Sequence, residues 1–262
     1  MARIKIHLVD EVNVFFEGLS DKHVNSIIEK TKLPVKGAFQ TPSFQLKLWD
    51  GKESLFSEDG VAFQYMVPKV IDILKEEYSF REQDFEIVDD REELPELPEH
   101  PIDETFLQEE FGFSLHDYQV NAINACIKYK NGIVAVATSG GKSLVCVGIS
   151  KYFNGHLKTI ITAPSNTLIS QITKDYKKTN LSFVDLGKIK PAKRKEAIEN
   201  HDHIIMTHKL LLSVKEHLEG IQAVIVYDEA HRFGPETSHV LRLELGNCPV
   251  RIGLTGSLPT RS

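Results

Sequence analysis

The residues whose types and spacing most directly suggest chemistry are V-A-T-S-G-G-K-S, from Val136 to Ser143. Gly140 and Gly141 allow backbone N–H groups to curve around phosphate oxygens, and a helix that begins directly afterwards adds positive potential at its N-terminus. Lys142 can then reach the β- and γ-phosphates of ATP, while the Ser143 hydroxyl can hold Mg²⁺. The residues expected to bind the nucleotide in this loop are Thr138, Ser139, Gly140, Gly141, Lys142 and Ser143.

This loop departs from the strict pattern G-x-x-x-x-G-K-[ST], because Val136 stands at the first glycine position. A flexible glycine-rich turn with a surface lysine is therefore the alternative interpretation. The flanking sequence favours the phosphate loop, since an apolar run from Ile133 to Ala137 precedes it and a helical pattern from Leu144 to Phe153 follows it.

A second chemical signal is the sequence D-E-A-H, from Asp228 to His231, which directly follows an apolar run from Ala223 to Tyr227. An aspartate at the carboxyl end of a strand can hold Mg²⁺ through water, and a neighbouring glutamate can orient and deprotonate an attacking water. Asp228 and Glu229 are thus predicted to share the catalytic work with Lys142. A solvated acidic turn at the end of a strand is the alternative.

The elements that must position these residues follow a repeated pattern after about residue 106. Short and nearly continuous apolar runs alternate with helix-sized segments, as a parallel sheet covered on both faces requires. The runs are Ile133 to Ala137, Thr159 to Ala163, Phe183 to Leu186, His203 to Thr207, Ala223 to Tyr227 and Val250 to Leu254. Residues 106–262 are therefore predicted to form an α/β domain with a parallel sheet.

The first 90 residues show a different pattern, which predicts a small α+β domain. Residues Arg3 to Val9 alternate at period two, and Asn13 to Glu17 form a second β-rich run. Ser20 is a candidate N-cap for a helix, and Pro68 is expected to open another. We also expect a strand over Phe44 to Leu48, which runs into a turn at Trp49-Asp50-Gly51.

Residues 91–105 are predicted to be an acidic, proline-rich linker, because prolines spaced three apart favour extended backbone. From Glu76 to Glu110 there are fifteen Asp and Glu against two Arg, a balance of −13. The whole chain has a net charge of −6, so the remaining residues carry −6 minus −13, or +7. A mildly basic protein interrupted by an acidic segment can still bind phosphate backbones.

Several classes are excluded by what the sequence lacks. No stretch reaches the roughly 18 unbroken apolar residues of a membrane span, and the N-terminus has no apolar run of the kind found in signal peptides. The three cysteines stand far apart, which favours neither a disulfide framework nor a zinc site. We therefore expect a cytoplasmic protein with no membrane partner.

Taken together, the motifs resemble those of a known family. T-S-G-G-K-S, D-E-A-H and Thr255-Gly256-Ser257 resemble motifs I, II and III of the superfamily 2 helicases. The resemblance implies a RecA-like P-loop domain that hydrolyses ATP with Mg²⁺, with Ser143 and Asp228 as metal ligands. It also implies that His231 couples hydrolysis to motif III, although a purely structural histidine is the alternative.

Supporting matches occur in the expected order. Leu115 to Gln119 resembles the adenine-recognising glutamine motif, and lies about twenty residues before Lys142. Ala163-Pro164-Ser165 resembles motif Ia and Met206-Thr207-His208 resembles motif Ib, which implies nucleic-acid contacts at Pro164, Ser165, Thr207 and His208. Gln119 as a surface helix residue, and Thr207 with His208 as a helix cap after a strand, are the ordinary alternatives.

A narrower resemblance is to the phage UvsW-type helicases, which remodel branched DNA. It is carried by the T-S-x-G-K-S loop, by Leu254 to Leu258 and by an N-terminal module that contains Trp49-Asp50-Gly51, a proposed turn around which Lys47, Trp49 and Lys52 cluster. This resemblance implies that the module helps to hold branched or duplex DNA, and that a phage-encoded protein acts in the host cytoplasm. Trp49 as a core aromatic beside a turn is the alternative.

The resemblance also sets an expectation about the rest of the motor. Superfamily 2 enzymes use a second RecA-like domain with an arginine-bearing motif, and the sequence stops five residues after motif III. We therefore expect the chain to be the N-terminal portion of a longer helicase. Other superfamily 2 motors, such as a restriction-type translocase or an RNA helicase, remain open, as does a nucleic-acid-binding module whose nucleotide site is only regulatory.

Overall fold

The computed structural model describes residues 3–35, 37–137, 140–232 and 245–256. It divides into two compact units, Met1–Glu92 and Glu93–Ser262. Cys126, Cys146 and Cys248 are buried free thiols. Throughout the described ranges, the helices are too short or too polar to cross a bilayer.

The N-terminal unit is an α+β unit, as its sequence predicts. Its strands and helices are β1 (Ile4–Leu8), β2 (Asn13–Glu17), α1 (Asp21–Thr31), β3 (Lys32–Pro34), α2 (Pro42–Gln45), β4 (Lys52–Ser54), β5 (Val61–Phe63), α3 (Val67–Tyr78) and β6 (Phe85–Asp89). The main sheet has the order β5-β2-β1-β6, in which β1 is antiparallel to β2 and parallel to β6. Strands β3 and β4 form a separate antiparallel pair.

Alternating apolar residues explain how this sheet packs. Ile4 and Ile6 of β1 are buried against a cluster that includes Ile27 of α1 and Leu74 of α3. Ser20 caps α1 as predicted, because its side chain accepts a hydrogen bond from the His23 backbone N–H. The period-two pattern of the strands and the cap of the helix therefore both act as the sequence indicates.

The prediction of a strand over Phe44 to Leu48 is wrong. Thr41 Oγ1 accepts a hydrogen bond of 3.4 Å from the Phe44 backbone N–H, and Pro42 occupies the first turn, so a short helix, α2, forms instead. Lys47 then adopts a left-handed conformation with φ 55°. A cap followed by proline starts a helix more strongly than a short alternating run starts a strand.

The C-terminal unit is built around a parallel sheet. Its strands and helices are α4 (Gln108–Phe111), α5 (Asp117–Tyr129), β7 (Asn131–Ala135), α6 (Lys142–Phe153), β8 (Lys158–Ala163), α7 (Asn166–Tyr176), β9 (Phe183–Asp185), α8 (Arg194–Asn200), β10 (His203–Thr207), α9 (His208–Val214), β11 (Ala223–Asp228) and β12 (Val250–Thr255). The described strands lie in the order β7-β12-β11-β8-β10-β9, and all of their pairings are parallel.

The apolar strands of this sheet are covered on both faces. Neighbouring residues Ile160 and Ile161 of β8 are fully buried in two different clusters, one on each side of the sheet. This packing explains why the strands read as continuous apolar runs. The carboxyl ends of parallel strands meet at one edge of a sheet, so the segments that follow β7, β8, β10, β11 and β12 are brought together there.

The predicted boundaries of the strands hold to within one or two residues. The largest shift is in β7, which covers Asn131–Ala135, whereas the sequence predicts a strand from Ile133 to Ala137. The backbone N–H of Val136 still donates to the Thr255 carbonyl at 2.9 Å, but the chain turns into the loop beyond it. The last apolar residues of the run therefore belong to the phosphate loop.

The proline-rich segment is extended and packs on the C-terminal unit. Residues 93–103 have no helix or strand. The Asn124 side chain accepts from the Ile102 N–H at 2.8 Å and donates to the Ile102 carbonyl at 3.0 Å. The Tyr152 hydroxyl donates to the His100 carbonyl at 2.8 Å. Backbone polar groups of this segment are thus satisfied by side chains of α5 and α6.

Candidate nucleotide site and nucleic-acid interface

The phosphate loop is held by two glycines and by Gln119. Gly141 has φ +73°, and a Cβ at this position would lie 2.4 Å from Gln119 Nε2. Gln119 Nε2 donates to the Gly140 carbonyl at 3.1 Å. Only glycine fits this combination of left-handed backbone and close approach. The sequence motif therefore has a steric explanation that is independent of any ligand.

Gln119 is buried rather than a surface residue, since only 2% of it is exposed. Its Oε1 atom accepts from the His116 backbone N–H at 3.0 Å, which closes the first turn of α5. Its amide nitrogen reaches across to the phosphate loop. The structure thus places Gln119 where it connects α5 to Gly140, and adenine recognition by the same side chain stays a prediction.

Lys142 and Glu229 form an ion pair across the site. Lys142 Nζ donates to Glu229 Oε1 at 2.5 Å, and the two side chains are 12% and 17% exposed. Burial pushes the pKa of Glu229 upward, but the hydrogen bond and charge of Lys142 outweigh it, so the net pKa is lowered. Glu229 is therefore an ionised carboxylate already in place, paired with the lysine expected to bind phosphates.

Asp228 lies at the end of β11 and is 4% exposed. Burial raises its pKa, and the nearby charge of Lys142 opposes this effect without cancelling it. Its Oδ1 atom accepts a hydrogen bond of 3.0 Å from the Glu229 backbone N–H. Glu229 has φ 54°, a left-handed conformation that is uncommon for a residue with a side chain. The chain turns sharply here, so the two adjacent acids can take different positions.

These groups line a cleft with a volume of about 460 Å³, which is within the range of small-ligand sites. The lining residues are Gly141, Lys142, Ser143, Leu168, Gln171, Ile172, Asp228 and Glu229. Mg²⁺ in nucleotide sites is usually held by one or two protein groups together with substrate phosphates. Ser143 and Asp228 are a fitting donor set for it, and the glycine loop fits phosphate oxygens.

One contact of this site is not part of any predicted motif. The Ser143 hydroxyl donates a hydrogen bond of 2.6 Å to Asp175 Oδ2, on α7. Gln171 lies three residues after Leu168, and Asp175 lies four residues after Gln171, so the three residues share one face of the helix. That spacing is the signal in the sequence that could have identified Asp175.

His231 of the D-E-A-H sequence lies between Glu229 and the end of β12. His231 Nδ1 lies 2.9 Å from Thr255 Oγ1 and 3.4 Å from Glu229 Oε2. Thr255 ends β12, and Gly256 follows it. The histidine thereby connects the candidate catalytic glutamate to the motif III strand. Thr138, Ser139 and Ser257 lie outside the described residues.

The predicted nucleic-acid contacts lie at the carboxyl ends of neighbouring strands, since Thr207 of β10 is in register with Ala163 of β8. Ser165 caps α7 and Thr207 caps α9 through hydrogen bonds of 3.4 and 3.2 Å from backbone N–H groups. Ser165, Pro164 and Thr207 are partly exposed. The helix-cap alternative for Thr207 therefore describes the hydrogen bond that its side chain makes in the structure. A contact between Thr207 and a phosphate stays a prediction.

His208 differs from these residues because it is buried. Burial lowers its pKa, against the smaller opposite effect of hydrogen bonds with the backbone of Thr162 and Asp228. The side chain thus lies close to the backbone of β8 and β11 within the protein. The geometry suits a positioning role better than direct contact with a ligand.

Trp49 of the N-terminal unit lies in a turn and is partly exposed. Its Nε1–H donates to the Lys52 carbonyl at 2.7 Å, and Asp50 Oδ1 accepts from the Lys52 N–H at 3.0 Å. Lys47 and Lys52 are exposed beside it. Residues 1–75 contain ten Lys or Arg and ten Asp or Glu, so any cationic surface in this region is local.

Comparison with solved structures identifies the same fold elsewhere. A crystal structure of the UvsW helicase from bacteriophage T4 matches 98% of this chain and 93% of the other, with a TM-score of 0.70 and 20% identity. A second T4 UvsW structure matches 97% of this chain and 53% of the other, with the same TM-score of 0.70. At this level of identity the likeness concerns the fold, and it extends over both units.

Comparison with curated sequences gives two relatives that match a smaller part of the chain. The ATP-dependent DNA helicase uvsW of Enterobacteria phage T4 is 26% identical over 148 residues, which are 55% of this chain and 30% of that protein. The DNA 3'-5' translocase XPB2 of Sulfurisphaera tokodaii is 25% identical over 143 residues, again 55% of this chain and 30% of that protein. The chain therefore matches less than a third of the length of these relatives.

Residues 112–260 match the family model described as "Type III restriction enzyme, res subunit". This range includes the phosphate loop, the D-E-A-H sequence and motif III, and it is more than half of the 262 residues. The chain therefore belongs to the type III restriction enzyme res subunit family.

Proposed function

We propose that this chain carries the ATP-binding half of a DNA helicase or translocase that remodels branched DNA in recombination, repair or replication. The observation that carries this proposal is the convergence of Lys142, Ser143, Asp228 and Glu229 on one cleft at the carboxyl edge of a parallel sheet. The names of the two curated relatives, a DNA helicase and a DNA translocase, support DNA as the substrate.

The site residues divide the work of ATP hydrolysis among them. Lys142 exchanges its ion pair with Glu229 for the β- and γ-phosphates, and this exchange leaves the glutamate free to accept a proton from water. Ser143 and Asp228 hold Mg²⁺, which neutralises charge on the phosphates when it is bound. Gln119 keeps Gly140 in position and, we propose, contacts the adenine. Thr138 and Ser139 complete the phosphate loop.

The site needs one further group. None of the described residues that line the cleft is an arginine. We propose that a second RecA-like domain supplies an arginine to the γ-phosphate, as the resemblance to superfamily 2 implies. This domain closes over the nucleotide and is required for rapid hydrolysis and for movement on DNA.

The link between hydrolysis and DNA runs through motif III and the helix caps. His231 contacts both Glu229 and Thr255, so a change at the glutamate reaches the end of β12. Thr255, Gly256 and Ser257 are proposed to couple hydrolysis to DNA. Pro164, Ser165 and Thr207 are proposed to contact the DNA backbone, because backbone N–H groups at the start of a helix favour phosphate. His208 is proposed to hold the ends of β8 and β11 in place.

We propose that residues 1–90 form an accessory domain that holds duplex or branched DNA, with residues 91–105 leading into the motor. The support is local, since Lys47 and Lys52 are exposed beside a partly exposed Trp49. Contacts of this kind with the DNA backbone give affinity without sequence preference and weaken as salt rises. The proposed compartment is the cytoplasm, which is the host cytoplasm for a phage-encoded protein.

A second candidate is translocation along duplex DNA without strand separation. It is favoured by the family of the restriction enzyme res subunit and by the relative named a 3'-5' translocase. Displacement of a triplex-forming strand detects translocation alone, whereas release of a labelled strand from a fork detects unwinding. The two assays on one preparation therefore separate the candidates.

The experiment that tests the proposed function measures nucleotide binding and DNA-stimulated ATP hydrolysis by the full-length protein. We expect ADP and ATP to bind with Mg²⁺, and forked DNA to stimulate hydrolysis more than single-stranded DNA does. Nucleotide binding without any hydrolysis in the presence of DNA would instead support a regulatory nucleotide site in a binding module.

A further inference from the structure

Asp175 is a carboxylate at the nucleotide cleft to which no motif assigns a role. It lies in the last turn of α7, where its Oδ2 atom accepts the hydrogen bond from Ser143. Leu168, Gln171 and Ile172 of the same helix line the cleft. Because positions three and four residues apart share a helix face, Asp175 continues the surface of α7 that faces the nucleotide.

The chemistry of a serine hydroxyl explains what this contact does. A hydroxyl has one proton to donate and two lone pairs with which to accept. When its oxygen binds a metal ion, the proton must be donated to another acceptor. A carboxylate is the strongest acceptor available for this purpose, and its hydrogen bonds are shorter than those between neutral groups, as the 2.6 Å distance is.

We infer that Asp175 is the positioning residue for the Ser143 hydroxyl, whose oxygen it directs toward the Mg²⁺ of the nucleotide. This inference rests on the proposed function, since it concerns the same site. Asp175 does not itself touch the metal or the phosphates in this scheme. It acts by holding the hydroxyl in the one orientation that presents a lone pair to the cleft.

Two further contacts lie beside this hydrogen bond, one at the exposed edge of the carboxylate and one between the helices. Lys178 Nζ donates to Asp175 Oδ1 at 3.1 Å, so the two oxygens have donors on different sides. The hydroxyls of Ser150 and Tyr176 also hydrogen bond to each other between α6 and α7. Two hydrogen bonds therefore join α6, which begins at the phosphate loop, to α7, which carries Asp175. They hold Asp175 against the loop.

The test is a titration of Mg²⁺ against a fluorescent ADP analogue bound to the full-length protein. Asp175→Ala is expected to weaken the Mg²⁺ affinity of the nucleotide complex about 10- to 100-fold, the usual effect of removing a group that orients a metal ligand. Affinity for the analogue in EDTA should stay within about twofold of the unmodified protein, because the carboxylate does not contact phosphate.

Two matched variants sharpen the result. Asp175→Asn keeps the shape but offers a neutral and weaker acceptor, so its Mg²⁺ affinity should fall between those of the unmodified protein and Asp175→Ala. Lys178→Ala removes a partner that is 53% exposed and leaves the bond to Ser143 intact, so its Mg²⁺ response should be unchanged.

An unchanged Mg²⁺ response in Asp175→Ala overturns the inference, and so does an equal loss of analogue binding with and without Mg²⁺, which indicates a general structural role. If Asp175→Ala does not fold, Asp175→Asn decides alone, and a normal Mg²⁺ response from it overturns the inference. Failure of the unmodified protein to bind the analogue at all is a different result, because it contradicts the proposed function first.

Discussion

The two units of this chain use charged side chains in different ways. In the N-terminal unit, His7 lies 2.6 Å from Asp90 and 2.9 Å from Glu17 on a partly exposed strand surface. The hydrogen bonds with Asp90 and then Glu17 raise the pKa of His7. In the C-terminal unit, Lys142 and Glu229 are paired inside a cleft, beside an aspartate that is almost fully buried.

This difference shows that buried charged residues indicate a function more strongly than exposed ion pairs do. Exposed ion pairs contribute about 0–1 kcal/mol to stability and can be exchanged for other polar residues. Buried charges are expensive to keep and are retained where the chemistry needs them. His7, Glu17 and Asp90 of the N-terminal unit pair with one another at a strand surface, whereas the charged residues of the cleft are arranged around a space that a ligand can fill.

The largest expected effect concerns the completeness of the cleft. We predict that residues 1–262 alone bind Mg·ATP or ADP but hydrolyse ATP about 10³ to 10⁵ times more slowly than they do together with the proposed second RecA-like domain, because a catalytic arginine contributes a factor of this size. Single-turnover hydrolysis of radiolabelled ATP measures it. Rapid DNA-stimulated turnover by residues 1–262 would show that the cleft is complete as it stands.

The next largest effect concerns the ion pair between Lys142 and Glu229. In the full-length enzyme, Glu229→Gln should retain nucleotide and lose about 10² to 10⁴ in hydrolysis rate, since it removes the base but keeps the polar volume. Lys142→Ala should lose nucleotide affinity and hydrolysis together. The matched control is Glu17→Gln in the N-terminal unit, which breaks an exposed pair and should leave both values unchanged. Normal turnover by Glu229→Gln would mean that another group is the base.

The phosphate loop gives a steric test. Gly141→Ala should weaken nucleotide binding about tenfold or more, because its Cβ would displace Gln119, which holds the loop at Gly140. The left-handed backbone itself costs an L-residue about 1–2 kcal/mol of stability. Gly155→Ala is the control, since Gly155 has φ +82° and a Cβ added there would have nothing within 4 Å. Both variants should lose similar stability, but only the first should lose nucleotide affinity. Isothermal titration with ADP compares them.

The boundary between the units gives a prediction about DNA. Deleting residues 1–92 should weaken binding to forked or four-way DNA more than to single strands, by several-fold, while nucleotide binding stays intact. Filter binding at two salt concentrations measures this difference, which should shrink as salt rises. Equal loss on every form of DNA, or no loss, would leave the unit as a structural or protein-docking module.

The smallest expected effect is on stability and pH. Burial raises the pKa of Asp228, so its ionised form destabilises the fold at neutral pH. Asp228→Asn should therefore raise the free energy of unfolding by about 1 kcal/mol while abolishing hydrolysis. The gain should decline as pH falls through the folded-state pKa, because the unmodified aspartate becomes neutral. Thermal melts between pH 7 and pH 4 test both the sign and the trend.

The sequence predicts the C-terminal unit well because its chemistry and packing restrict residue types. A strand buried on both faces must be apolar throughout, and a loop that approaches Gln119 so closely at Gly141 must be glycine. These constraints produce patterns that can be recognised without a structure. The parallel direction of the strands follows from the same alternation of strands and helices.

Other features depend on competition or on tertiary contacts, which patterns do not record. The Phe44 segment reads as a strand, but the Thr41 cap and Pro42 start a helix there. The burial of His208 and the contact between Asp175 and Ser143 arise from the packing of separate helices at one sheet edge. Helical spacing places Asp175 on the right face, but its hydrogen-bond partner becomes evident only in three dimensions.

The left-handed backbone of Glu229 has a consequence for protein engineering. At φ 54° the backbone conformation costs a glutamate about 1 kcal/mol or more relative to a glycine. Glu229→Gly would gain this backbone energy and lose the ion pair with Lys142, so the side chain at this position is held by a contact inside the cleft against the preference of its own backbone. In a stability-engineering library, the pair formed by Glu229→Gly and a neutral residue at position 142 would release both costs and remove the nucleotide chemistry, so a screen for heat resistance has to keep these two positions fixed.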